Sequence, residues 1–374
     1  MARTLCWSLF LLLPLRAFAS PTTEVQDGTT GTLIVVPPQA TDTGVKHIPD
    51  AAHPFIAPGL SDQRGPCPAM NTLANHGYIP RNGIATFEQI MLAMMEAFNI
   101  ESNFGSIMLA NNMLTRANVF TNQISIGGVS DLIPPMPHNV DGPEVGGISK
   151  HGRFEGDASM TRADALLGDN VHFQDILYDM DLLSLGKFGA NGPEGDNTVW
   201  NLDALIAMKK QNIQMDQAAN RGFEFPARRV NAAFTQAAFI VNVFANGTTK
   251  EASLSTIGSF FRNQTFPENW FRAAAPVTGA ASAATVNLIM AGVGIVPGRN
   301  NANGVYVPDP LPPAPWNASF ACTVYYDQAS NEPATFVNVT GLFKQNVDTL
   351  TNIQFAAVAG TCNEKKLPFG PVGV

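Results

Sequence analysis

Cys67 stands between two prolines in the run "GPCPAMNTLANHGYIPRNG", residues 65 to 83. Proline suits the first position of a helix, where its missing N–H would have no partner anyway, so Pro68 predicts a helix start with Cys67 at the N-cap. Backbone donors and the positive end of the helix then favour the thiolate over the thiol, and a thiolate is a nucleophile or a metal ligand. A second crowded stretch, "HGRFEGDASMTRAD" at 151 to 164, places Glu155, the backbone at Gly156 and the Ser159 hydroxyl within one short turn. Oxygen donors of that kind suit a small hard cation such as magnesium.

Each stretch admits other readings. Cys67 could be an inert buried thiol, since free cysteine often behaves as a small apolar residue. It could be a hydrolase nucleophile, but none of the six histidines carries a local signature as its base, and His76 reads as a capping or packing residue. As a third option, a thiolate holds haem iron from the proximal side and pushes electron density toward O–O cleavage. In the second stretch, a helix start capped by Asp157 accounts for the same letters as a cation site does.

The elements that must position these residues read as mainly helical. Thr86 with Gln89 forms a capping box, and Phe87, Ile90, Met91, Met94 and Phe98 fall on one face of the helix that follows, as core. Further helices are expected over 104 to 116, 159 to 167, 199 to 213, 229 to 243 and 253 to 262. Short β pairs are expected near 303 to 308 and 320 to 326. The uncharged run 273 to 297 reads as a buried loop and helix, because Pro276, Asn287 and its small polar residues disfavour a membrane span. Neither a repeat nor a composition break divides the chain, so residues 51 to 374 read as one domain.

With 374 residues, 45% apolar and 14% charged, the chain has material for a large core. A formal charge of −8 argues against nucleic acid and anionic lipid as partners, whereas a small neutral ligand fits. Arg3, the apolar run from Leu5 to Leu15 and the pattern Ala17-Phe18-Ala19 read as a secretory signal peptide over 1 to 19, too short to serve as a membrane anchor. Residues 20 to 50, rich in Pro, Thr and Gly, read as a propeptide or a loosely attached arm. Sequons at Asn246, Asn263, Asn317 and Asn338 agree with export, and N-glycans are expected there on a secreted, extracellular protein. Of the four cysteines Cys6 leaves with the signal peptide. Three remain in an oxidising compartment, so two can pair and one is left over. A bridge between Cys322 and Cys362 would stabilise by roughly 3 to 4 kcal/mol on loop-entropy grounds, leaving Cys67 as the thiol in need of a reason.

Over about residues 50 to 365 the chain resembles the fungal secreted haem-thiolate peroxidases, the family of chloroperoxidase and the unspecific peroxygenases, and among them the longer peroxygenase group. The resemblance rests on the two stretches above, on "PGRN" at 297 to 300 and on the C-terminal cysteine pair. It implies a single helical haem domain and transfer of oxygen from hydrogen peroxide to small organic substrates, with one-electron oxidation of phenols and oxidation of halide as further activities. It places Cys67 as the proximal ligand of haem b, and Glu155, Gly156 and Ser159 around a magnesium ion beside a haem propionate. Such a dication would offset carboxylates that are costly to bury unpaired.

One departure from the family is visible. The resemblance implies an arginine and, two helical turns on, a glutamate that moves a proton between the peroxide oxygens. Counting back from "FANG" at 244 to 247 puts these on Arg229 and Gln236, and no Asp or Glu lies between Arg229 and Glu251. An amide can hydrogen-bond peroxide but cannot cycle a proton. A weakly active haem or small-ligand binding protein therefore stays open beside the peroxygenase. The resemblance also places Phe154 and Phe239 on the haem channel, with aliphatic positions around Ile100 and Ile107.

Overall fold

The structure is a computed structural model and describes residues 30–137, 146–152 and 157–366. Among them ten α-helices carry the fold, and strands occur only in small antiparallel sheets of two or three short strands, as the sequence predicts for a mainly α chain. The order begins with α1 (Pro68–Asn75), α2 (Phe87–Phe98) and α3 (Ser102–Arg116), continues with α4 (Asp175–Phe188), α5 (Leu202–Ala219), α6 (Ala227–Asn242) and α7 (Leu254–Gly258), which runs into a π turn, and ends with α8 (Gly279–Val293), α9 (Phe320–Ser330) and α10 (Gly341–Ala356).

The expected capping box at Thr86 and Gln89 is formed, and all five residues of the face it introduces are buried. Helix α3 packs on α2 and α10, while α6 lies between α5, α8 and α9. The Ala-rich faces of α6 allow that close approach from several sides. No side chain of its own caps α6; Asp327 of α9 does so, accepting from the Arg228 N–H at 2.9 Å and from its guanidinium at 2.6 Å. A carboxylate at a helix N-terminus is well placed against the orphan donors there. The Cys322–Cys362 disulfide ties α9 to the segment beyond α10, beside Tyr325 and Phe355, and so holds the helix that caps α6.

Several expectations fail for physical reasons. Residues 159–167 form turns instead of a helix, because the buried Asp164 and the half-buried Asp216 carboxylates take the Ala158 N–H at 3.2 and 2.6 Å, with Ala158 at φ +60. Residues 320–326 belong to α9, capped by Ser319; only Tyr306–Pro308 pairs as a strand, with Gly298–Asn300. The uncharged run 273–297 does contain a helix, α8, as expected, but that helix lies at the surface with only Ser282, Val286 and Ile289 buried. Residues 30–50 run extended but are far from loose. The Ile34 N–H donates to Asn346 Oδ1 at 2.8 Å, Ser102 Oγ donates to the Pro37 carbonyl at 2.9 Å, Arg272 donates to the Gly44 carbonyl at 2.9 Å, and Ile48 is fully buried. Among the described residues no helix is long and apolar enough to cross a membrane.

Candidate active site

Cys67 is the N-cap of α1 and Pro68 its first residue. The loop before it is fixed by Asn71, whose side chain accepts from the Gly65 N–H at 3.0 Å and donates to the Gly65 carbonyl at 2.8 Å. A Cβ at Gly65 would stand 2.1 Å from the Ile126 carbonyl oxygen, so only glycine fits there. Cys67 lies deep in the fold and is half-buried by area because it borders an internal cavity. Burial pushes its thiol pKa up, against a downward pull from the N–H groups of Met70 and Ala69 and from Arg162. Neither N–H closes a capping hydrogen bond of normal geometry.

The cavity is mostly apolar, and its empty space totals about 1410 Å3 with the open mouth included. Helix α1 supplies Cys67, Pro68, Ala69 and Met70 to the wall; α2 supplies Ile90, Met94 and Phe98, which are core and cavity wall at once. Helix α3 adds Met108, Leu109, Asn112 and Arg116, the segment 159–162 adds Ser159 and Arg162, and α6 adds Ala232, Thr235, Gln236 and Phe239. Ile100 borders the cavity, whereas Ile107 is not among its lining residues.

Gln236 is the exposed member of an otherwise well-buried stretch of α6, and what exposes it is the cavity. Phe239, one turn on, shares that wall and packs edge to face with Phe104 at 6.1 Å. Arg229 does not join them. Its guanidinium donates to the Glu224 carbonyl at 2.9 Å and faces Asp157 at 3.5 Å, and it is absent from the lining. The physical reason is charge: position 236 offers an amide, while Asp157 and Glu224 offer negative oxygen on the other side. The cations on the cavity wall are instead Arg116 and Arg162, 1% and 2% exposed, neither of which stood out in the sequence.

Phe154, Glu155 and Gly156 lie outside the described residues. Their neighbours are described. Ser159 borders the cavity, and its carbonyl accepts from Asn212 at 3.3 Å. Asp157 is 3% exposed and caps no helix; it accepts from the Glu224 N–H at 3.2 Å and faces His151 at 3.6 Å. Burial and then Asp164 push its carboxyl up, and Arg229 opposes them. Among the described residues no group of three His, Cys, Asp or Glu side chains is arranged for a metal.

The lining also says which chemistry is missing. Among the described residues no Asp, Glu or His borders the cavity. A nucleophilic cysteine paired with a histidine base is therefore not assembled there. His76 caps the C-terminal end of α1 and bonds the His53 carbonyl and Thr265, both at 2.9 Å, a packing role as its sequence position indicates.

Comparison with known proteins agrees with this geometry. The family model for peroxidase, family 2, matches residues 53–275. The aromatic peroxygenase of Cyclocybe aegerita is 32% identical over 333 residues, covering 88% of this chain and 85% of that protein. The aromatic peroxygenase of Coprinellus radians is 34% identical over 234 residues, covering 61% of this chain and 86% of that protein. The chloroperoxidase of Leptoxyphium fumago is 44% identical over a short match of 59 residues, 16% of each chain. A thiol at a helix N-terminus beside an apolar cavity, found within a family match that spans most of the helical core, identifies the chain as a member of peroxidase family 2, the fungal haem-thiolate peroxidases, and as a hydrogen-peroxide-dependent oxidoreductase.

Proposed function

We propose that the protein is a secreted peroxygenase that transfers oxygen from hydrogen peroxide to small apolar or aromatic substrates. The observation that carries this reading is the position of Cys67, at the N-terminus of α1 and on the wall of an apolar cavity that also holds Gln236 and Phe239. Family membership implies a haem, and the wall fits one: a sulfur donor at a helix N-terminus, apolar surface for a macrocycle, and two arginines for its carboxylates. Cys67 would hold the iron of haem b, with Arg116 and Arg162 toward the propionates. When bound, the haem supplies the iron at which the peroxide O–O bond is cleaved and oxygen is passed on.

The chain's own residues then do the following. Helix α1 turns its N-terminal donors toward the sulfur and so offsets part of the burial that favours the neutral thiol; binding to the iron would complete the shift to thiolate. Phe239, Met94 and Met108 keep water from the substrate and press apolar molecules against the site. The Gln236 amide donates to or accepts from a peroxide oxygen, and the Thr235 hydroxyl borders the same space. Neither takes a proton and keeps it, so the proton moves by water held between them. Glu155, Gly156 and Ser159 are proposed to hold magnesium beside a propionate. Halide and phenol oxidation are proposed as side activities, and Asn263, Asn317 and Asn338, all exposed, as carriers of N-glycans, with the half-buried Asn246 less accessible.

Gln236 supports a second reading, a haem or small-ligand binding protein with weak peroxygenase activity. Turnover of an aromatic substrate with hydrogen peroxide separates the two. Catalysis well above that of free haemin supports the enzyme, and a rate equal to haemin rejects it.

A further inference from the structure

Behind the cavity wall lies a run of aromatic rings that oxygen transfer within the cavity does not use. Phe98 and Phe244 border the cavity, and Trp270 sits directly behind them, fully buried. Its ring centroid is 5.8 Å from that of Phe98, and its indole N–H donates to the Phe244 carbonyl at 2.9 Å. Phe266 follows at 5.4 Å from Trp270 and 5.8 Å from Tyr78. Tyr78 is half-buried and stacks on His53, 3.9 Å between centroids with the rings 10° from parallel. Next to this stack Phe55 and Ile56 lie open to solvent, 46% and 52% exposed.

Indole and phenol yield an electron far more readily than phenyl. The run thus alternates redox-active rings with apolar spacers, from cavity wall to surface. We propose that Trp270 and Tyr78 relay single electrons from the protein surface to the haem, so that phenols too bulky for the cavity are oxidised at the exposed patch beside His53 and Phe55. The proposal rests on the reading that Cys67 holds a haem in the cavity.

The balance closes with hydrogen peroxide as oxidant and the phenol as reductant. Peroxide takes up two electrons and two protons, its O–O bond breaks, and two waters form. Each electron comes from one phenol at the surface, which also loses its O–H proton to solvent and leaves as a phenoxyl radical. Within the protein Trp270 gives up an electron first. The atom facing its N–H is a carbonyl oxygen, not a base, so the indole keeps its proton and is held as a radical cation. Tyr78 then re-reduces it; its hydroxyl makes no direct hydrogen bond of normal geometry, so its phenol proton passes through a bridging water to the Asp50 carboxylate, whose charge reaches the phenol and which also pairs with His53 at 2.7 Å. The external phenol restores the electron, and Asp50 returns the proton. In the resting protein burial, then the nearby Asp50 carboxylate, raise the Tyr78 pKa, so the phenol is protonated until the electron leaves.

The test compares the full-length holoprotein with Trp270→Phe and Tyr78→Phe, each treated with hydrogen peroxide without substrate and freeze-quenched for electron paramagnetic resonance. Tryptophan bearing ring deuterium is incorporated in parallel samples. The unsubstituted protein should give a tryptophan radical cation signal that narrows with the label and is lost in Trp270→Phe. Oxidation of a phenol tethered to a soluble dextran should be lost in Trp270→Phe and reduced in Tyr78→Phe, while oxygenation of toluene persists in both. An unchanged radical signal and unchanged dextran-phenol oxidation in Trp270→Phe overturn the relay. Absence of haem or of any peroxide reaction in the unsubstituted protein overturns the haem reading instead. If Trp270→Phe does not retain haem, peptide mapping of the unsubstituted protein after excess peroxide decides: oxygen added at Trp270 and Tyr78 but not at Trp200 or Trp316 supports the relay, and oxygen at methionines alone rejects it.

Discussion

Replacing Gln236 by Glu puts a carboxylate on the α6 wall of a cavity that no Asp, Glu or His lines among the described residues. The side chains are nearly isosteric, so the helix and the packing of Phe239 are undisturbed. General acid–base help is typically worth about 10^2 to 10^4 in rate, or about 2.7 to 5.4 kcal/mol off the barrier. The structure argues for the low end. Arg229, two turns earlier, is held by Asp157 and Glu224 and must leave them before it can orient a carboxylate at 236. An acceleration of about tenfold to a hundredfold is therefore expected in the step that consumes peroxide, followed by stopped-flow absorbance at the Soret band. The new group accepts the peroxide proton only when ionised, so the rate should fall as pH drops through its pKa. That pKa is pushed up by the apolar wall, and the unsubstituted protein should lack this acid limb. An equal or lower rate at equal haem content, with no new pH limb, would refute the assignment of Gln236 to the proton-shuttle position.

Three further outcomes follow from particular contacts. Gly65→Ala forces the loop before Cys67 away from the Ile126 carbonyl, which should cost about 1 to 3 kcal/mol in unfolding free energy and lower the haem content of the purified protein; a variant with unaltered denaturant midpoint and haem content would show that the loop tolerates a Cβ. Glu332 is fully buried, and burial pushes its carboxyl up to about 8 from an ordinary 4.5, with Gln354 close by but no hydrogen bond of normal geometry between them. The folded state then holds a proton that the unfolded state releases, so stability should fall as pH rises from about 4.5 to about 8, by up to about 1.4 kcal/mol per pH unit, and Glu332→Gln should flatten the profile of denaturant midpoint against pH. Glu155→Gln should lower both bound magnesium and haem retention, measured by elemental analysis and absorbance; unchanged values for both would remove Glu155 from the site.

Local rules carried the sequence reading where one residue type decides the outcome. Pro68 and Thr86 with Gln89 gave two helix starts because each is a backbone hydrogen-bonding device. Gln236 and Phe239 reached the cavity because helical spacing fixes which side chains share a face. What stayed hidden depends on partners far along the chain. The turn at 157–164 is shaped by Asp216, and the cap of α6 comes from Asp327. Arg116 and Arg162 look like ordinary helix and loop residues until the fold brings them to one cavity. Helix α4 buries Asp181 and Ser184 with Tyr178 and Leu185, so its apolar period is broken by polar core residues. Helix α10 carries its signal openly in Phe343, Val347 and Leu350, buried at regular helical spacing.

The central claim is that Cys67 is the ligand of a haem iron, and the absorbance spectrum of the reduced, carbon-monoxide-bound protein tests it most directly. The unsubstituted protein should show the red-shifted Soret band of a thiolate-ligated haem, and Cys67→Ala should lose it. A histidine-type band in the unsubstituted protein, or a red-shifted band that survives in Cys67→Ala, would contradict the account.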